Sequence, residues 1–210
     1  MKFDKEFKEA IINLPESEKD KLLFRLLKKD LTLVNRLAFE LLSEKSADQR
    51  RNELAEKIEK EIYSITENYY TPGYAMMELR YISGMITEHL KITKDKFGEI
   101  SLNCLMLSKF IELNKERIEN ARPPRKKHKL CIYIIARAFK ILLLKKAIHE
   151  DFHLDLEEYI AELHTNIIES HSLMKTAINN GLDVNWFLPD NIPDEIVQIH
   201  KEIRQNGFLK

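Results

Sequence analysis

The chain has 210 residues, 44% of them apolar and 32% charged, and its 34 basic side chains balance 34 acidic ones to a formal net charge of zero. That length suits one domain or a domain with a small appendage. The balance removes any overall electrostatic pull towards DNA, RNA or anionic lipid, leaving only local patches to supply one.

The opening MKFDKEFKEA lacks the apolar stretch of a signal peptide, and no apolar run approaches a membrane span of about 18 residues, so a cytoplasmic, membrane-free protein is expected. Cys104 and Cys131 lie far apart with no CxxC spacing and read as buried free thiols in a reducing compartment.

Phe3 to Leu14 forms a short amphipathic start. Pro15 and then Ser17, an N-cap type, open SEKDKLLFRLLKKD, where Leu22, Leu23, Leu26 and Leu27 repeat at helical spacing. LTLVNRLAFELL follows at once, so residues 1–46 are expected to be short helices packing on a main helical body at 47–210 that ends in a docking tail. Asp48 is placed to cap QRRNELAEKIEKEIYSITE, a helix laced with opposite charges. NYYTPGY reads as a turn, with Pro72 at the first helical position.

MMELRYISGMITEHLKI and EISLNCLMLSKFIELNKERIEN are two more helices, and Pro123 and Pro124 break the chain before LCIYIIARAFKILLLKKAIHEDF. Asp155 with Glu158 spaces a capping box for one long helix, LEEYIAELHTNIIESHSLMKTAINN, closed by Gly181. A loop holding Trp186, Phe187 and Leu188, and one last helix, complete the chain. No stretch alternates with the period of two that marks a strand, so the fold is expected to be all-α: an antiparallel multi-helix bundle or a short α-α superhelix.

The stretch LPESEKDKLLFRLLKKDLTLVNRLAFELL, residues 14–42, resembles a group of small uncharacterised all-α bacterial proteins through its Leu/Lys patterning. The likeness covers about the first third of the chain. Some members of that group carry a dUTP-hydrolase-like label. All-α nucleotide hydrolases hold magnesium with ExxE on one helix and ExxD on the next. ExxE occurs here, as at Glu53 to Glu56, but ExxD does not, so no catalytic residue is carried over.

Four groups of residues bear on function. Residues 122–146 carry nine Lys or Arg and no acid. From Leu130 to Leu144 the apolar residues surround the helix, the pattern of an enclosed helix. The following segment, Ala147 to Ser170, has seven acids and no Lys or Arg, which points to neutralisation across a helix hairpin. The positive cluster Arg122, Arg125, Lys126, Lys127 and Lys129 opposes the helix dipole, so it either pairs with Glu116 and Glu119 or is kept for RNA, DNA or phosphate. Arg137, if buried, needs a carboxylate, with Glu78, Glu88, Glu112 or Glu162 as candidates.

His149-Glu150-Asp151-Phe152-His153 matches HExxH, in which two histidines a helical turn apart hold zinc and the glutamate activates its water. Here the motif falls in the last turn of its helix, where histidine is favoured by the dipole without any metal. Tyr69, Tyr70, Tyr74, Met76, Met77, Tyr81 and Met85 offer aromatic surface for bases, yet Tyr74, Met77, Tyr81 and Met85 at helical spacing read as core. Glu78, Arg80, His89 and Arg137 remain as polar candidates for a cleft.

The expected function is therefore that of a non-enzymatic helical binding protein with a protein partner and no cofactor. A nucleic-acid module using the 122–129 cluster and a zinc-dependent hydrolase at His149, Glu150 and His153 are the alternatives.

Overall fold

The computed structural model describes residues 3–210, which form ten α-helices, two short 3₁₀ turns and no strand. The helices are α1 (Lys5–Ile12), α2 (Glu16–Leu27), α3 (Leu31–Leu42), α4 (Ala47–Glu67), α5 (Pro72–Thr93), α6 (Lys96–Asn120), α7 (Pro124–Ala147), α8 (His153–Ile168), α9 (His171–Asn179) and α10 (Ile196–Gln205). The fold is all-α. The chain divides into two units, one running through Glu44 and taking in Lys91–Thr93, the other comprising Lys45–Leu90 and Lys94–Lys210. None of the described helices is long and apolar enough to cross a membrane.

Local chemistry sets the helix ends. Thr71 accepts a hydrogen bond from Tyr74 N at 3.1 Å, with Pro72 at the first helical position as expected. Gly181 closes α9: it donates to the Ile178 carbonyl, and its φ of 75° turns Leu182 N back to Ala177 O at 3.0 Å, a bond that needs the left-handed residue before its donor. Three expected starts move. α2 begins after Pro15 rather than Ser17. α4 is capped by Ser46, whose hydroxyl and backbone N–H form a reciprocal box with Gln49, two residues before Asp48. Asp155 lies inside the first turn of α8 and caps nothing; the long helix expected beyond it breaks at Ser170, which caps α9.

Side-chain bonds fix the directions of the helices in the second unit. Arg51 near the start of α4 reaches Asp95 just before α6, while Thr66 near its end meets Asn114 late in α6, so α4 and α6 run parallel. Lys140 late in α7 meets Glu99 early in α6, and Lys127 early in α7 meets Glu119 late in α6, so these two are antiparallel. Phe97 packs against Phe152 at the start of α8, and Lys115 pairs with Glu169 at its end, which sets α8 parallel to α6. Direction alternates along the chain, as short loops require, and α4, α7, α8 and α9 all pack on α6.

α6 is the centre of this bundle. Besides Ile100, Met106, Leu107, Phe110 and Ile111 it buries the polar residues Glu99, Ser101, Asn103, Ser108 and Asn114. α7 is enclosed as its sequence implied: no residue from Leu130 to Lys145 is exposed, and Ile134, Ala138, Phe139, Ile141 and Leu142 are fully buried. The expectation for α5 holds only in part: Met85 packs half-buried against the core and Tyr74 is half-buried. The core face of this helix is Ala75, Leu79, Ile82 and Ile86, while Met77 and Tyr81 are 56% and 59% exposed. Small and aliphatic residues fit the narrow space beside a neighbouring helix, and the larger side chains are left outside. Trp186 stands edge-on to Phe139 with ring centroids 5.8 Å apart, and Phe187 is buried, so the loop pins the C-terminal segment to α7.

Candidate functional site

Three cations of the basic segment are paired, none of them with the acidic helix that follows it. Lys140 meets Glu99 of α6 at 2.6 Å, Lys127 donates to the Glu119 carbonyl at 2.6 Å with its carboxylate at 3.9 Å, and Lys146 meets Asp194 at 2.5 Å. Of the cluster opening α7, Lys127 is thus paired. Arg122, Arg125, Lys126 and Lys129 are exposed and, among the described residues, have no carboxylate at ion-pair distance. The Lys126 stem lies against Gly73, where a side chain would come within 3.9 Å, so this cluster adjoins the N-terminus of α5.

Arg137 has none of its four candidate carboxylates as a partner. It is half-buried and lies over the Tyr133 ring, 5.7 Å from the centroid, and Arg80 of α5 lies over the same ring at 5.7 Å. The ring offers each guanidinium its electron-rich face, and the Arg137 head reaches solvent, so no buried charge is left to compensate. The Tyr133 hydroxyl bonds the Leu79 carbonyl and Ser83, which ties α7 to α5.

Of Glu78, Arg80, His89 and Arg137 only the two arginines come together, over the Tyr133 ring. Arg80 and Glu78 stand two residues apart on opposite flanks of α5. His89 belongs to the core face, 2% exposed, with Nε2 3.1 Å from Asp95 Oδ2. Asp95 also receives Arg51 at 2.8 Å and Gly98 N at 2.7 Å, capping α6. Burial works to raise the Asp95 pKa, but the bonds from His89, Gly98 and Arg51 outweigh it and hold the carboxyl below its ordinary value. This is a structural joint between α4, α5 and α6.

The HEDFH motif straddles a break. α7 ends at Ala147, residues Glu150–Phe152 form a 3₁₀ turn, and His153 opens α8. The two histidines therefore occupy separate elements instead of one final helical turn. His149 Nδ1 lies 3.1 Å from Asp151 and the side chain is 73% exposed. His153 Nε2 is 3.0 Å from the Lys145 carbonyl, a contact that occupies this ring nitrogen. Among the described residues no three His, Cys, Asp or Glu side chains converge at metal-holding distance.

Two cavities open beside this break, of about 530 and about 250 Å³. Glu150 and His153 border the larger, His164, Phe187 and Leu188 the smaller, and Lys145 and Glu157 border both. Lys145 is the residue that sequence reasoning missed. A lysine in the last turn of a helix reads as a solvated complement to the dipole, yet this one is 5% exposed. The thiols Cys104 and Cys131 are both buried and free; burial pushes Cys131 up to about 11 and Cys104 higher still.

Compared with models of known families, with curated proteins and with solved structures, the chain matches none.

Proposed function

We propose that this chain is a non-enzymatic helical binding protein whose N-terminal helices dock on a protein partner. The observation that carries this reading is the state of α1, α2 and α3, which contain no buried residue. Phe24, Leu31, Leu41 and Leu42 are 62%, 73%, 76% and 80% exposed, and none of the core cluster comes from these helices. Scattered single apolar side chains on a surface are ordinary; three successive helices that bury nothing and still carry leucine and phenylalanine at helical spacing are not. Such faces gain about 25 cal/mol per Å² when covered. Acids and bases are interspersed along the same helices, which favours a protein surface over a polyanion.

Photo-reactive residues placed at Leu31 and Leu41 of the full chain, in the cells that make it, should give discrete adducts with one protein. The Leu31→Glu/Leu41→Glu pair should abolish adduct formation from a probe at Phe24 while leaving the thermal midpoint unchanged. Absence of adducts at all three positions overturns the reading, as do adducts unaffected by the two glutamates.

A second reading rests on a different observation, the four exposed and unpaired cations at the start of α7. These supply a local patch for the phosphate backbone of RNA or DNA. Retention on heparin at low salt that falls steeply with salt supports this reading, and a flow-through result removes it.

A further inference from the structure

Lys145 is nine-tenths buried and forms part of the wall of two adjoining cavities, and among the described residues no carboxylate or hydrogen-bond acceptor stands within reach of its ammonium. Its neighbour Lys146 is satisfied by Asp194 at 2.5 Å. The Lys145 ammonium opens on the cavities, and an unpaired cation there gains charge-assisted hydrogen bonds when an anionic group enters beside it.

The rest of the wall narrows the ligand. Glu150 and Asp190 border the larger cavity and are exposed, and half-buried Glu157 borders both. Asp194, paired with Lys146, also borders the larger cavity and Glu158 the smaller, so five carboxylates face two ammoniums and repel a phosphate or dicarboxylate. A simple cation gains from the carboxylates but meets the unpaired Lys145 ammonium. A dipolar molecule satisfies both, its carboxylate towards Lys145 and its ammonium towards Glu157. The smaller cavity adds apolar surface from Ala161, Phe187 and Leu188. The volumes, about 530 and about 250 Å³, accommodate a molecule of amino-acid size.

We propose that these cavities bind a small zwitterion, an amino acid with an apolar side chain, whose carboxylate pairs with Lys145. The site is in the bundle and is independent of the exposed N-terminal helices, so its fate and theirs are tested separately. Trp186, the only tryptophan of the chain, adjoins Phe187 and supplies an intrinsic fluorescence reporter.

The full chain is titrated with L-leucine and followed by Trp186 fluorescence and calorimetry, with two analogues as controls. Leucinamide lacks the carboxylate, and 4-methylpentanoate lacks the ammonium. L-leucine should saturate, each analogue should bind about tenfold more weakly or less, and Lys145→Met should abolish saturation. Lys145→Met removes an unpaired charge and is expected to keep its fold; should it unfold, leucinamide against wild type still decides the role of the carboxylate. No saturation by L-leucine up to about 20 mM overturns the proposal. Leucinamide binding as tightly as leucine, or undiminished binding by a folded Lys145→Met chain, overturns it too. Glu157→Gln should weaken L-leucine and leave 4-methylpentanoate unchanged, and equal effects on both would refute the ammonium contact.

Discussion

Glu119 and Ser172 meet through both carboxylate oxygens: Oε1 accepts from Ser172 N at 3.0 Å and Oε2 from the Ser172 hydroxyl at 2.5 Å. Ser170, the cap of α9, donates its own hydroxyl to Oε1 at 2.6 Å. One carboxylate at the end of α6 thus collects the free donors of another helix's first turn, where negative charge is also favoured by the dipole. Glu119→Ala leaves two hydroxyls and an N–H without their acceptor and should cost about 2–3 kcal/mol in urea unfolding. Amide exchange should quicken across α9 before it does in α6.

The same carboxylate gives a pH signature. Burial works to raise the Glu119 pKa, but the Ser170 and Ser172 donors and Lys127 outweigh it and hold the carboxyl below its ordinary 4.5. A pKa lower in the folded than in the unfolded chain contributes stability that is fully present above 4.5 and is lost as pH falls below it towards the folded value. The difference in unfolding free energy between wild type and Glu119→Gln should therefore be constant near neutrality and shrink in acid. A difference that grows on acidification would contradict the sign.

This contact also explains where the sequence misleads. Apolar periodicity runs unbroken from α8 into α9 and hides the Ser170 cap, which is held by Glu119 about fifty residues away in the chain. α6 hides its central place for a related reason. Asn103 and Asn114 look like surface residues, yet each donates to the carbonyl one turn back, at 2.6 and 3.0 Å, and Asn114 also reaches Thr66. Amide N–H groups satisfied in this way can be buried, even though each Oδ1 has no partner among the described residues, and composition alone does not reveal it. α7 was legible because its apolar residues surround the helix. Lys145 was not, because charge position along a helix gives no sign of which flank a loop will cover.

Gly98 offers a test in which helix propensity and geometry disagree. It lies in the first turn of α6, where alanine is intrinsically better by about 1 kcal/mol. A Cβ there would fall 2.2 Å from Asp95 Oδ2 and 3.0 Å from the Arg51 stem, inside the joint that also holds His89. Gly98→Ala should therefore destabilise by about 1–3 kcal/mol, and the loss should shrink in the Asp95→Ala background, where the obstructing carboxylate is gone. Stabilisation by Gly98→Ala in the wild-type background would mean that the joint yields without cost.

The two thiols should be silent in the folded chain. Burial holds both in the protonated form, Cys131 with Thr176 beside it and Cys104 fully enclosed between α6 and its neighbours. A disulfide reagent such as DTNB should titrate no thiol at pH 8 until the chain unfolds, then both, at a rate that follows unfolding rather than reagent concentration. Stoichiometric labelling of native protein would show that the bundle opens around α6 or α7 far more readily than its packing implies.

Arg137 separates two accounts of a cation in the middle of an enclosed helix. Had it formed a buried pair with Glu112 or Glu162, removing it would strand a carboxylate and cost about 3–5 kcal/mol. Glu112 instead meets Lys109 at 3.0 Å, and the Arg137 guanidinium has only the Tyr133 ring, which it shares with Arg80. Contacts of this exposed kind contribute about 0.5–1 kcal/mol, so Arg137→Met, which keeps the apolar stem, should shift unfolding by no more than that. Tyr133→Phe should cost more, because it leaves the Leu79 carbonyl and Ser83 without the hydroxyl that joins α5 to α7. If the methionine variant proves the more damaging of the two, the charge has a partner other than the tyrosine ring.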